Sequence, residues 1–265
     1  ETGHLFGLDD YYDYNSEVNM KKIIRIFLSV ILLLSFSSCS LPGGNFNSLN
    51  KNSSDTLSFN VINELEEVTS LAHIRITQVE DNFFESQDVS LGSGVIINED
   101  QNYYYALTNN HVIYTEKRNV SYRITDAYMN SYTGTVLKND KNYDLAYIKF
   151  SKNTKYSLKV LELATSVKAN DICIALGEPL GQSRVFTVGR IIGSEVFTPI
   201  DTVDALKKSN VTFSVYKHSA EINNGSSGGA LINTDLKLVG INFASKVKED
   251  TNEFVASFAI PVDKA

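Results

Sequence analysis

A serine flanked by glycines stands near the C-terminal end of the chain, in the run GSSGG at residues 225–229. Glycine adopts backbone angles that other residues avoid, so the chain can turn sharply around an exposed hydroxyl. Such a turn also lets backbone N–H groups point at one place, which is the geometry of an oxyanion hole. A nucleophilic serine is one interpretation of this run. A plain turn between strands, built from two common turn residues, is the other.

A histidine and an aspartate lie upstream of this serine, each beside an apolar segment typical of a strand. His111 follows the segment 103–108, and Asp144 precedes the segment 145–150. We therefore expect both side chains at strand ends. A serine hydroxyl becomes a good nucleophile when a neighbouring base takes its proton. An imidazole, with an ordinary pKa of about 6.5, can do this near neutral pH, and a carboxylate on its other nitrogen orients it.

Motifs in five places resemble the HtrA/Deg branch of the trypsin-like serine endopeptidases. They read LTNNHV at 107–112, DLA at 144–146, ALGEPLG at 175–181, INNGSSGGAL at 222–231 and FAIP at 258–261. One Gly-x-Ser-Gly-Gly motif is weak evidence, whereas an ordered set between about residues 68 and 263 is specific. The chain order His, Asp, Ser is also that of the chymotrypsin-type triad and differs from the orders in other hydrolase folds.

The resemblance implies a catalytic role for each of these residues. Ser227 is expected to be the nucleophile, His111 the general base and then the general acid, and Asp144 the group that orients the imidazole. The backbone N–H groups of Gly225 and Ser227 are expected to form the oxyanion hole. No cofactor is implied. The chain departs from the family at Ser226, where Asn is usual, and at Asn224, where Pro is common; both replacements suit a turn.

The resemblance also implies a primary specificity pocket, formed by Glu221, Ile222, Ile241, Asn242 and Phe243. Glu221 occupies a position at or near the base of the pocket, where the HtrA branch usually has a small or apolar residue and cleaves after small aliphatic residues. A carboxylate there favours Lys or Arg at the cleavage site. The alternative is that Glu221 turns outward or pairs with a cation such as Lys217, because a buried unpaired carboxylate is costly.

Residues 20–39 read as a bacterial secretory signal. A basic start at Met20 is followed by the apolar run 26–36, which is short for a transmembrane helix of about 20 residues. Two serines then precede Cys39, as in a lipobox, so cleavage before Cys39 and its lipidation are expected. Phe36 departs from the Leu that usually stands there. Ordinary cleavage nearby and an uncleaved anchor are the alternatives.

The flanking composition divides the chain further. Residues 1–19 are acidic and rich in Tyr, which suits an erroneous upstream extension better than the start of a signal. Residues 40–56 are rich in Asn, Ser and Gly, as in a flexible tether. Residues 57–265 remain for the trypsin-like domain, with barrel one at about 68–150, a linker at 151–157 and barrel two at about 158–265.

Short segments rich in Val, Ile, Tyr and Phe recur between turn signals, which favours an all-β barrel or sandwich fold. The predicted strands are 72–79, 94–98, 103–108, 120–125, 133–138, 145–150, 171–175, 184–192, 211–214, 229–232, 238–243 and 254–260. A short helix is expected at 64–71, and a solvated loop at 246–250. The resemblance implies two six-stranded antiparallel β-barrels, with His111 and Asp144 on the first and Ser227 on the second.

Composition excludes several other classes of function. The net charge of −7, from 31 acidic and 24 basic residues, disfavours nucleic-acid binding. The four histidines are scattered, so no metal site is predicted; His73 and His218 lack the context of His111, and His218 is expected at the surface of a strand end. Cys173, the only cysteine besides Cys39, is expected in the core.

The expected function is that of an extracytoplasmic serine endopeptidase, anchored to a bacterial membrane, that acts on unfolded proteins or peptides. A homotrimer is expected by family analogy alone. The chain ends at Ala265 without the PDZ domain usual in the family, so we expect a protease-only member or a truncated one. The alternatives are a latent or non-catalytic peptide-binding lipoprotein and a processing protease of narrow specificity.

Overall fold

The computed structural model describes residues 65 to 265 apart from 66, 69, 82–85, 179–184, 198–208, 249 and 252. The predicted secretory signal, Cys39, the tether at 40–56 and residues 198–208 lie outside these residues. Residues 65, 67, 68 and 70–72 are helical, in agreement with the predicted leading helix. Within the described residues, no helix has the length and apolar character needed to cross a membrane.

The described elements are mainly strands. They are β1 (His73–Asp81), β2 (Ser86–Glu99), β3 (Tyr103–Thr108), the one-turn helix α1 (Asn110–Ile113), β4 (Val120–Thr125), β5 (Ser131–Asp140), β6 (Leu145–Ser151), β7 (Ile172–Gly177), β8 (Val185–Val196), β9 (Ser214–His218), β10 (Ala230–Asn233), β11 (Leu238–Val247), β12 (Phe254–Pro261) and a 3₁₀ turn (Val262–Lys264).

The strands close into two antiparallel barrels of six strands each. Barrel one has the order β1-β2-β3-β6-β5-β4, and barrel two has the order β10-β11-β12-β9-β8-β7. Closure pairs both edges of every sheet, which removes the unpaired backbone groups that an open edge would expose. The predicted fold of two six-stranded barrels is therefore confirmed, and the sandwich is excluded.

Barrel one encloses an apolar core. Ile74 and Ile76 in β1, together with Ile148 in β6, are fully buried. Because side chains alternate between the two faces of a strand, this spacing puts the β-branched residues on the inner face. Phe150 extends the same core, where its ring centroid lies 5.6 Å from that of Tyr104. Barrel one is thus a packed support for the elements at its rim.

A second apolar cluster lies between the barrels. From barrel one it takes Val95, Leu107 and Leu145, and from barrel two Ile174, Ile232, Leu238, Ile241 and Ile260. These barrel-two strands therefore bury one face inside their barrel and the other against barrel one. Because apolar area removed from water is the main favourable contribution to such contacts, this cluster fixes the two barrels against each other.

The interior of barrel two is smaller and partly polar. Its apolar residues are Cys173, Ala175, Ile191, Leu231, Val239 and Ala259. Among them lie three fully buried polar side chains, those of His218, Asn242 and Ser257. The expectation that His218 is a surface residue is therefore wrong. Strand β9 ends at His218, but β12 and β8 flank it at Ser257 and Ile191 and turn the ring inward.

The buried imidazole is poorly compensated. Neither ring nitrogen of His218 has a hydrogen-bond partner among the described residues, and the same holds for Asn242 Oδ1 and Ser257 Oγ. Burial lowers the pKa of His218 to about 4, although the nearby Ala220 backbone and Asn242 side chain favour the protonated form. The ring is accordingly neutral at physiological pH.

Three predicted elements differ from the structure. The strand placed at 211–214 is β9, Ser214–His218, because Val211 is buried between the barrels and Phe213 packs on Tyr143 outside any strand. Strand β2 begins at Ser86, earlier than predicted, since its polar first half pairs with the end of β1. Strand β11 continues to Val247, into the predicted loop. The remaining strands are confirmed within a few residues.

We predict that His218 makes the fold sensitive to mild acid. Its ordinary pKa of 6.5 falls to about 4 in the folded state, so between these values the unfolded chain binds a proton that the folded chain does not. Stability should therefore decline as the pH falls from 6.5 towards 4, by up to about 3 kcal/mol from this residue. When the free energy of unfolding is measured with urea at pH 7.5, 6 and 4.5, it should fall clearly less with decreasing pH in His218→Asn than in the wild type. An equal fall in both proteins would exclude this role for His218.

Candidate active site

His111 and Asp144 form a directly bonded pair at the rim of barrel one. His111 lies in the one-turn helix α1 after β3, and Asp144 precedes β6, the strand that pairs with β3. The His111 Nδ1 atom lies 2.7 Å from Asp144 Oδ2, and the His111 backbone N–H donates to Asp144 Oδ1 at 2.9 Å. The carboxylate thus accepts from one residue twice, through the ring and through the backbone.

This pairing assigns the imidazole tautomer. Asp144 is fully buried, whereas the His111 side chain keeps 25% of its surface exposed. An ionised carboxylate can only accept hydrogen bonds, so the ring proton belongs on Nδ1. The other nitrogen, Nε2, is then left as an acceptor at the exposed side of the ring. It can take a proton from a neighbouring group.

Two asparagines beside His111 hold the pair in place. The Asn109 side-chain amide donates to the Asp144 backbone carbonyl at 3.0 Å, and Asn139 Nδ2 donates to Asn110 Oδ1 at 2.6 Å. Asp144 adopts a positive φ of 49°, which an aspartate tolerates better than most residues. Asn109 and Asn110 therefore have a structural role. Sequence reasoning treated them only as part of a motif and did not predict this role.

The turn at 225–229 has the strained geometry expected of it. Gly225 and Gly228 have φ angles of 96° and 85°, in the region that favours glycine. A Cβ atom on Gly228 would also lie 2.1 Å from the Ser93 carbonyl oxygen and 2.3 Å from Thr108 Oγ1. Barrel one thus approaches the turn so closely that only glycine fits at position 228.

From Gly225 to Gly228, backbone N–H groups that donate a hydrogen bond alternate with N–H groups that donate none to the described residues. The Ser226 N–H donates to Asn223 O at 2.9 Å, and the Gly228 N–H donates to Asn242 O at 2.8 Å. Across the described part of the chain, the N–H groups of Gly225 and Ser227 donate no hydrogen bond. These are the two groups that the family resemblance assigned to an oxyanion hole. They are available to a bound oxygen atom.

Ser227 comes from barrel two and is joined to barrel one through its backbone. Its carbonyl oxygen accepts from the Ser93 N–H at 2.8 Å, and the Ser93 carbonyl accepts from Thr108 Oγ1 at 2.7 Å. Thr108 ends β3, just before His111. The Ser227 hydroxyl makes no hydrogen bond to His111 in this structure. Hydrogen bonds between catalytic groups are often long without a ligand and shorten in the complex.

Glu221 is the one exposed residue among the five predicted to line the pocket. Its backbone carbonyl accepts from Thr187 Oγ1 at 2.7 Å, which holds the segment against β8. Lys217 instead pairs with Glu195, at 3.0 Å from Nζ to Oε2. Of the cations that the structure describes, none forms an ion pair with Glu221.

The other four predicted pocket residues are buried near the turn at 225–229. Ile222 packs inside barrel two, and Ile241 packs in the cluster between the barrels. Asn242 holds the turn through its backbone, and its side-chain amide donates to Ala230 O at 2.9 Å. Phe243 is the bulged residue between β11 and β12, and it packs in the cluster between the barrels. Their assignment to a pocket stays a prediction.

Sequence reasoning missed a buried ion pair at the same seam. Glu178, the fourth residue of the ALGEPLG motif, is 3% exposed at the end of β7. Its Oε2 lies 3.8 Å from His73 Nε2, and its Oε1 pairs with the Arg75 guanidinium. Burial raises the pKa of Glu178, but hydrogen bonds and charges from His73 and Arg75 outweigh it and hold the pKa at about 2. The sequence feature that could have indicated this buried ion pair is a glutamate within an otherwise apolar motif.

Neither a metal centre nor a reactive thiol accompanies these groups. Within the described ranges, no three His, Cys, Asp or Glu side chains are close enough to hold a metal ion. Cys173 is a buried free cysteine, and burial raises the pKa of its thiol to about 12. Its predicted place in the core is confirmed, and its thiol is inert at neutral pH.

Comparison with known proteins places this geometry in a family. The family model of the trypsin-like peptidase domain matches residues 92–241. The chain therefore belongs to the trypsin-like peptidases. The barrel topology and the chain order of His111, Asp144 and Ser227 agree with that assignment.

Individual relatives confirm the resemblance to the HtrA/Deg branch. The chain is 33% identical over 178 residues to the probable periplasmic serine endoprotease DegP-like of Buchnera aphidicola, covering 65% of this chain and 33% of that protein. It is 31% identical over 179 residues to the serine protease Do-like HtrA of Bacillus subtilis, covering 67% and 38%. It is 34% identical over 183 residues to the serine protease HtrA-like of Staphylococcus aureus, covering 68% and 23%.

The chain thus matches less than two fifths of the length of these curated relatives. A solved structure, of the HtrA-type protease AlgWS227A with tripeptide, superposes with a TM-score of 0.60 at 24% identity. The superposition covers 77% of this chain and 60% of the other. At that identity, the similarity supports the fold.

We predict that the Glu178 ion pair stabilises the contact between the barrels. Glu178→Gln should lower the free energy of unfolding at pH 7 by about 1–3 kcal/mol, because the buried carboxylate loses its charge-assisted bond to the half-buried Arg75. The lowered pKa of Glu178 means that this stabilisation is complete above about pH 4.5 and is lost as the pH falls towards 2. Urea unfolding at pH 7, 4.5 and 3 should show the two proteins converging in acid. A constant difference would contradict the ionic origin.

Proposed function

We propose that this protein is a serine endopeptidase that hydrolyses peptide bonds in unfolded or misfolded proteins, with Ser227, His111 and Asp144 as its triad. The observation that carries the proposal is the doubly bonded Asp144–His111 pair at the rim of barrel one. The open N–H groups of Gly225 and Ser227 support it further. Membership of the trypsin-like peptidases is consistent with this chemistry.

Each group has a defined step. The Ser227 hydroxyl attacks the carbonyl carbon of the peptide bond while its proton passes to His111 Nε2. The buried Asp144 carboxylate stabilises the resulting imidazolium. The negative oxygen of the tetrahedral intermediate accepts from the Gly225 and Ser227 N–H groups, each worth about 3–4 kcal/mol in comparable sites. His111 then protonates the leaving amine, and water repeats the sequence to release the acyl group.

A peptide substrate can bind as an added strand on β11. Strand β10 pairs with β11 only from Leu238 to Ile241, whereas β12 follows β11 as far as Val247. Among the described residues, therefore, no strand pairs with the β10-facing side of β11 beyond Asn242. This part of β11 starts beside the turn that carries Ser227, since the Asn242 N–H donates to Gly229 O at 2.9 Å. Backbone pairing at such an edge binds extended peptides with little regard to sequence.

The N-terminal sequence supports a location outside the cytoplasm, where the enzyme would meet unfolded proteins. Residues 20–39 have the pattern of a secretory signal with a lipobox, and one relative is named as periplasmic. We therefore place the enzyme on the extracytoplasmic side of a bacterial membrane, held by a lipid on Cys39. A homotrimer is the assembly that the family resemblance implies.

Glu221 favours a preference for basic residues at the cleavage site. Its side chain is exposed, and the nearest candidate partner from the sequence, Lys217, is engaged by Glu195. A carboxylate with no neutralising cation among the described residues attracts Lys or Arg from a substrate. This preference distinguishes the protein from HtrA enzymes that cleave after small aliphatic residues. It also suits the alternative of a narrow processing protease.

We predict that Ser227 is the residue that reacts with a fluorophosphonate probe. Ser227→Ala should abolish both labelling and casein cleavage while leaving the melting temperature within a few degrees of the wild type. Ser194→Ala, an exposed serine on β8, is the matched control and should behave as the wild type. Labelling without casein cleavage would indicate a processing protease. Absence of both in the folded wild type would favour a latent or non-catalytic peptide-binding protein.

We predict that Glu221→Gln reduces cleavage after Lys and Arg. Loss of a charge-assisted bond of about 1.5–3 kcal/mol corresponds to roughly a 10- to 100-fold drop in kcat/KM for those peptides. Cleavage after small aliphatic residues should change little. A peptide library that varies only the residue before the cleaved bond measures both effects, with Glu253→Gln as an exposed control. An unchanged preference in Glu221→Gln would place the carboxylate outside the pocket.

A further inference from the structure

Ser93 lies where barrel one meets the turn that carries Ser227. It is a fully buried residue of β2, paired across the sheet with Arg75 of β1. Its polar groups point out of its own barrel. The Ser93 N–H donates to Ser227 O at 2.8 Å, and Ser93 Oγ donates to Gly225 O at 2.7 Å. One residue of barrel one thus holds two carbonyl groups of barrel two.

These two bonds fix two peptide planes of the turn, one on each side of the Ser227 N–H. The Gly225 carbonyl shares a plane with the Ser226 N–H, which donates to Asn223 O. The Ser227 carbonyl shares a plane with the Gly228 N–H, which donates to Asn242 O. Each plane is therefore held at both its oxygen and its nitrogen.

The open N–H groups take their direction from these planes. The Ser227 N–H lies on the peptide between the two held planes, and the Gly225 N–H lies on the peptide just before the first. The Ser227 N–H shares its plane with the Ser226 carbonyl, which accepts from the Gly229 N–H at 3.0 Å, so it cannot rotate away without breaking that bond. The direction of the Gly225 N–H depends on the backbone angles of Gly225 itself. Gly225, with a φ of 96°, is the residue whose backbone would otherwise turn most freely. The bond from Ser93 Oγ to its carbonyl acts at that point.

The Ser93 hydroxyl is itself oriented from barrel two. The Glu178 N–H donates to Ser93 Oγ at 3.2 Å, which leaves the single hydroxyl proton for the Gly225 carbonyl. Glu178 is held in turn by His73 and Arg75 on β1. The carbonyl of Ser93 accepts from Thr108 Oγ1 at 2.7 Å. All the polar groups of Ser93 are therefore engaged, with nothing free to redirect the hydroxyl.

We infer that Ser93 is a positioning residue for the oxyanion hole: its hydroxyl holds the Gly225 carbonyl so that the Gly225 and Ser227 N–H groups stay aimed at the reacting oxygen. This inference rests on the proposed function. Ser93 touches no substrate and acts through the turn. Replacement by alanine removes the bond to Gly225 O but keeps the backbone bond to Ser227 O.

The test uses the fluorophosphonate probe, whose reaction also places negative charge on an oxygen beside the attacked atom. Labelling rates over a range of probe concentrations give a maximal rate and a half-saturating concentration. Ser93→Ala should lower the maximal rate about tenfold or more and leave the half-saturating concentration unchanged. Ser93→Cys, which keeps a weak S–H donor, should fall between Ser93→Ala and the wild type.

The matched control is Ser257→Ala, another fully buried serine in a strand, whose hydroxyl bonds to none of the described residues. It should label as the wild type, and all variants should melt within a few degrees of one another. A wild-type maximal rate in Ser93→Ala would overturn the inference, as would an equal loss in Ser257→Ala. If the wild type is not labelled at Ser227, the proposed function fails as well, which separates the two results.

Discussion

The packing of two closed barrels against each other is the constraint on which the site depends. His111 and Asp144 belong to barrel one and Ser227 to barrel two, so neither barrel alone contains all three residues of the proposed triad. The apolar residues between the barrels lie on the same strands that end at the site: Leu107 is four positions before His111, and Leu145 directly follows Asp144. Any sliding of this contact would move the two halves of the site apart.

Apolar contacts alone cannot fix such a site, because they are not directional. The barrels could shift by a fraction of an ångström with little loss of buried area. Directional bonds across the same seam remove that freedom: Glu178 reaches His73 and Arg75, and Ser93 reaches the turn around Ser227. Glu178, His73 and Ser93 are buried, so a shift would leave them unpaired at a substantial free-energy cost. The apolar cluster holds the two barrels together, and the polar bonds fix their relative position.

The sequence predicted the parts of the structure that depend on local pattern. Short segments rich in Val, Ile, Tyr and Phe located most strands, and short motifs located the His111–Asp144 pair and the turn at Ser227. It missed what depends on partners distant in the chain. Glu178 is an ordinary charged residue until β1 brings Arg75 beside it, and His218 becomes buried only because β8 and β12 close around β9. Tertiary pairing decides burial at such positions, and local composition does not report it.

The two barrels also differ in the composition of the interiors that support the two parts of the site. Barrel one surrounds its interior with isoleucines and aromatic rings, and this core holds the strands that carry His111 and Asp144. Barrel two has a smaller apolar interior that it shares with His218, Asn242 and Ser257. Unpaired polar atoms there lower its stability relative to an apolar core of the same volume. Because Asn242 bonds the turn through its backbone and is fully buried among these polar residues, the turn that contains Ser227 is joined directly to the polar part of the barrel-two interior.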